Sequence, residues 1–162
     1  MLYLSPMDMA DKENIIREIR SIAEGTKTFR VVFDDFEKAS GNYLFVGIKD
    51  EPKGSIKGLH NKIVRALLPF RDGVIKEKYL QKWESFSSEE RERIKSTGVP
   101  YEYVPHTSVA TLGSEKEVLE AINEIKNLSP KGVEFEVKRI EIMTSNVDDY
   151  EDKEIVSSFD IS

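Results

Sequence analysis

An approximate internal repeat does most to limit the folds open to this chain. Moving the first half onto the second lays Ile16 on Ile122, Ile19 on Ile125, Ile22 on Leu128, Phe29 on Phe135 and Val31 on Val137. The first three pairs recur at helical spacing and the last two at strand spacing, so a strand-helix-strand-strand unit is written twice. A duplicated unit of this kind predicts an α+β fold of two pseudo-symmetric β-α-β-β lobes, with antiparallel sheets around a central cleft and helices on the outside. The 162 residues fit one such two-lobed domain. Its expected parts are lobe one at about 1–69, an insertion at about 70–100 and lobe two at about 101–162.

Along the chain, Leu2 and Leu4 alternate with Tyr3 and Ser5 as in a half-buried strand closed by Pro6. Ile15, Ile16, Ile19 and Ile22 predict an amphipathic helix over 11–23, stopped by Gly25. Phe29–Phe33 and Tyr43–Ile48 read as the strands of a hairpin around Ser40, Gly41 and Asn42. A second helix follows from Ile56 to Leu68, ended by Pro69. The insertion scatters Phe70, Tyr79, Leu80, Trp83 and Phe86 among charges, with a helix start at Ser87-Ser88-Glu89-Glu90. It reads as a partly helical lid or as an excursion covering a sheet edge. A strand through His106, a helix over 114–127, a β-rich run from Val133 to Met143, an acidic loop at 148–152 and a last strand over 155–159 complete the chain.

Composition removes several functions. No apolar run is long enough to span a bilayer and no secretory leader opens the sequence, so the expected address is the cytoplasm. The absence of cysteine excludes disulfides and thiolate metal sites. With 24 basic against 30 acidic residues the net charge is -6, which gives no bulk attraction for DNA. A local patch reading one nucleic-acid end remains compatible with that charge.

The stretch Val104-Pro105-His106-Thr107-Ser108-Val109-Ala110 holds one of two histidines inside a β-branched run. Strand alternation places His106 and Ser108 on one face, an imidazole beside a hydroxyl. A histidine satisfied structurally at a strand end is the plain alternative. The other histidine, His60, falls among the apolar positions of the second helix and reads as a boundary residue, with Lys57, Lys62 and Arg65 as a solvated face. Tyr101 reads either as a stacking platform for a base or as ordinary packing.

The repeat pairs Met1, Leu2, Tyr3 and Leu4 with His106, Thr107, Ser108 and Val109, allowing one residue of slip. The tetrad from His106 to Val109, preceded by Pro105 and followed by Ala110, resembles a signature of the two-histidine phosphoesterases, the 2'-5' RNA ligase-like proteins and cyclic phosphodiesterases. That signature is His, any residue, Ser or Thr, then an apolar residue, once per lobe. The resemblance implies two β-α-β-β lobes around a cleft and a metal-independent phosphodiesterase that needs no cofactor. Its implied partner is a nucleotide or RNA end carrying a 2',3'-cyclic phosphate or a 2'-5' linkage. His106 would be a general acid or base and Ser108 a ligand of the phosphoryl oxygens.

Three departures accompany the resemblance. Met1 and Tyr3 stand where the first lobe would present its histidine and hydroxyl, Thr111 replaces a basic residue common in relatives, and the strand and helix that usually precede the first signature are not seen. Tyr3 is then expected to bind substrate through its phenol, not to transfer a proton at neutral pH. Either the reading begins downstream of a first histidine, or the chain is a one-histidine variant with weak or no turnover.

Overall fold

Interrupted apolar periodicity decides where this chain changes sheets. The computed structural model describes residues 11–39, 42–49, 55–71, 73–144 and 154–162. The expected strand at Leu2 to Ser5, the candidate Tyr3 and the acidic loop at 148–152 lie outside the described residues. Helices and antiparallel strands build an α+β fold of two compact units, each assembled from both halves of the sequence.

One unit, from residues 29–57 and 104–137, is a four-stranded antiparallel sheet. Its strands are β1 (Phe29–Ala39), β2 (Tyr43–Lys49), β3 (His106–Thr111) and β4 (Glu134–Val137), in the order β3-β2-β1-β4. The hairpin between β1 and β2 closes with Ala39 opposite Tyr43, and Asn42 turns the chain at φ 61, a conformation asparagine tolerates better than most residues. Helix α5 (Glu115–Ile125), capped by the Ser114 hydroxyl accepting from the Glu117 amide, packs on β1 and β2. It buries Val118 against the sheet that buries Val31, Leu44 and Val46.

The other unit holds α1 (Lys12–Glu24), most of α2 (Ser55–Leu67), and the short helices α3 (Glu77–Leu80) and α4 (Ser88–Thr97). It also holds the hairpin of β5 (Arg139–Thr144) and β6 (Glu154–Asp160). Helix α1 turns Ile15, Ile19 and Ala23, one residue per turn, onto β5 and β6. The chain end is tied in by backbone bonds from Thr28 N–H to Ser162 O and from Ser162 N–H to Thr26 O, at 3.2 and 3.3 Å.

The run from Val133 to Met143, read above as one stretch, is two strands in two sheets. Phe135 and Val137 share one parity and Ile140 and Ile142 the other, so a continuous strand would turn half of them to the wrong face. The chain breaks at Lys138 instead: β4 joins β1, with Val31 opposite Phe135, and β5 pairs with β6.

The 70–100 segment is organised by a buried cation. Arg71 is wholly buried and donates to the carbonyls of Ile94, Lys95 and Val74 at 2.9, 2.7 and 2.6 Å. Two of those carbonyls belong to the last turn of α4, where a positive charge is favoured; that of Ile94 also accepts from the Gly98 N–H at 2.9 Å. Helix α4 begins with a reciprocal Ser87–Glu90 capping box and ends at Gly98 with φ 81, a left-handed value that suits glycine. Ile94 is fully buried, Tyr79 meets Phe86 edge-on, and the Arg91 guanidinium lies over the Trp83 ring while bonding the Trp83 carbonyl.

Candidate active site on the four-stranded sheet

Strand β3 owes its position to β2. Gly47 lies opposite His106, Val46 opposite Thr107 and Phe45 opposite Ser108, and backbone bonds from Ile48 N–H to Pro105 O and from Leu112 N–H to Asn42 O extend the pairing beyond both ends. The register then slips so that Leu44 faces Ala110, leaving Val109 as a bulge. The expected alternation therefore holds from His106 to Ser108, but Ala110, not Val109, shares the face of Thr107. The two faces of the sheet are distinct. Lys38, Leu44 and Val46 lie on the side of α5, where Lys38 pairs with Glu115 at 2.7 Å. Phe45, Gly47, His106 and Ser108 lie on the other.

On that second face His106 is exposed and its ring stands 5.1 Å from the Phe45 ring, tilted by 58°. The Nδ1 of His106 lies 2.7 Å from the carbonyl oxygen of Val104. A carbonyl only accepts, so Nδ1 carries the proton and Nε2 is the nitrogen left to exchange one with a ligand. Ser108, exposed two residues on, places its hydroxyl on the same side.

The register adds residues that spacing along the chain does not reveal. Glu37 of β1 is opposite Phe45 and so rises on the His106 face. Its Oε1 lies 2.6 Å from the point where a Cβ on residue 47 would stand, and Asp34 Cβ is 3.3 Å from that point. Gly47 thus leaves a slot that the Glu37 carboxylate enters from the β1 side. A bulge sets Asp34 and Asp35 together against Gly47. Lys49 and Lys131 approach Asp34 at 3.7 and 3.8 Å, while Asp35 accepts from Lys131 and from the Ser129 hydroxyl. The Lys131 ammonium, then Ser129, holds the Asp35 carboxyl below its ordinary value, and Asp35 raises Lys131 in turn.

Of the remaining candidates among the described residues, all but Lys57 belong to the other unit. Tyr101 is 63% exposed and precedes the strand, which starts at His106. His60 is buried and stacks flat on Tyr103, ring centroids 3.9 Å apart and planes within 6°. Lys57, Lys62 and Arg65 are exposed. Among the described residues no group of three or more His, Asp or Glu side chains has the geometry to hold a metal ion, and no described helix is long and apolar enough to cross a membrane.

Fold and site together define a class: an α+β domain that presents an oriented imidazole and a hydroxyl on one face of an antiparallel sheet. A family model described as the 2'-5' RNA ligase superfamily matches residues 3–149. That match covers most of the chain, and the chain belongs to this superfamily, the two-histidine phosphoesterases. No curated protein matches it.

Proposed function

We propose that this protein is a metal-independent phosphoesterase acting on 2',3'-cyclic or 2'-5' linked nucleotides or RNA ends in the cytoplasm. The observation that carries the reading is the pairing of His106 and Ser108 on one face of the sheet, with Nδ1 anchored on Val104 O and Nε2 left for a ligand. In this reading His106 exchanges a proton at a ribose oxygen or at the attacking water, and Ser108 hydrogen-bonds a phosphoryl oxygen as charge redistributes. Tyr101, with its exposed ring, is the proposed stacking surface for a base, and Tyr3 a second substrate contact.

One sequence observation favours a second reading, a phosphate-binding relative with impaired turnover: Met1 and Tyr3 occupy the positions matched to His106 and Ser108. A short RNA ending in a 2',3'-cyclic phosphate, incubated with the protein in excess chelator, separates the two. Ring opening that Ser108→Ala slows and His106→Ala abolishes supports the enzyme. Binding of the RNA end without opening, weakened by the same substitutions, supports the binding module. Binding and turnover indifferent to both substitutions would remove both readings.

A further inference from the structure

We propose that Glu37 is the second proton-transfer group of the His106 site; the proposal rests on the phosphoesterase reading and names the group that works opposite the imidazole. Adjacent strands lie about 4.8 Å apart, so β1 and β3 flank β2 at roughly twice that spacing. Glu37 and His106 rise from those flanking strands on the same face, and the residue between them is Gly47, which has no side chain to separate them. The carboxylate does not stay above its own partner Phe45 but lies over Gly47, the residue that pairs with His106.

The charged neighbours set Glu37 apart. Asp34, the other carboxylate facing Gly47, has Lys49 and Lys131 within ion-pair distance, whereas Glu37 has no cation that close among the described residues. Glu37 is also exposed, so a ligand can reach it. An ionised carboxylate accepts a proton at neutral pH, and an imidazolium gives one. In ring opening, the Glu37 carboxylate takes a proton from water as its oxygen bonds to phosphorus. The bond from phosphorus to one ribose oxygen breaks, the electron pair leaves with that oxygen, and His106 Nε2 protonates it. Water and the cyclic diester become a phosphomonoester and a free hydroxyl, and solvent returns both side chains to their starting states.

The test compares kcat and KM for opening a 2',3'-cyclic mononucleotide across pH in the wild type, Glu37→Gln, Glu37→Asp and His106→Ala. Glu37→Gln is expected to lower kcat roughly 10²- to 10⁴-fold with little change in KM or melting temperature. It should also erase the fall in rate on the acid side, where Asp34, Asp35, Lys49, Lys131 and His106 are the other charged or titrating groups nearby. Glu37→Asp should restore part of the rate and the acid limb. A Glu37→Gln enzyme with the wild-type rate and acid limb, beside an inactive His106→Ala, overturns the proposal and leaves the phosphoesterase reading standing. No ring opening by the wild type overturns both.

Discussion

The two histidines of this chain stand in opposite settings. His106 is exposed on an edge of the four-stranded sheet, held at Nδ1 by one backbone carbonyl, with a hydroxyl and a carboxylate on its face. His60 is 8% exposed on α2, between apolar turns built from Ile56, Leu59 and Ile63, and lies flat on Tyr103. The difference separates chemistry from packing. A ring that can exchange protons with a ligand needs one nitrogen fixed and the other accessible; a ring that fills a core contributes contact area instead.

The largest effect should come from His106. Replacing it with alanine is expected to cost roughly 10²- to 10⁴-fold in the rate of ring opening while shifting stability by less than about 0.5 kcal/mol, because an exposed ring supports little packing. A matching loss of stability in a melting experiment would make His106 a structural residue like its counterpart.

Next in size is Arg71, the organising group of the 70–100 segment. Arg71→Leu should destabilise the protein by about 3 kcal/mol, since it strips three carbonyls of a buried charged donor. Urea unfolding measures this directly, and an unchanged midpoint would show that the α4 carbonyls find other partners. His60→Ala should follow at about 2 kcal/mol, from the lost stacked pair and the space it leaves, with catalysis retained. A selective loss of kcat at full stability would place His60 in the chemistry and collapse the distinction.

The smallest effect concerns the bulge beside Gly47. Asp35 titrates lower in the folded protein than in the unfolded chain, so its contribution is present above the unfolded value and lost as pH falls through the folded one. Lys131 titrates higher when folded, so its share is complete below the ordinary lysine value of 10.5 and lost as pH rises through the folded value. The pair therefore favours folding between the carboxylate and lysine ranges. The effect is slight because both groups are exposed to solvent. Asp35→Asn should remove the acid-side decline attributable to this pair; an identical pH dependence of the unfolding midpoint would contradict it.

Much of this was legible in the sequence because local periodicity sufficed. The apolar stripe of α1, the hairpin around Asn42 and the strand at His106 stand where spacing places them. The division of the Val133–Met143 run was visible in its parity change, a signal easily passed over in a run so rich in β-formers. Arg71 and Glu37 were not legible. An arginine two residues past a proline and a glutamate in a charged strand look like surface residues until α4 delivers its carbonyls to the one and the register sets Gly47 before the other. Both depend on pairings between residues distant in sequence, which no local pattern encodes.

The most direct test is a paired measurement of kcat/KM for opening a 2',3'-cyclic phosphate in excess chelator, and of unfolding free energy, on His106→Ala and His60→Ala. A catalytic loss confined to His106→Ala with a stability loss confined to His60→Ala is the predicted result. Equal activity in the two variants would contradict the assignment of the sheet face as the active site.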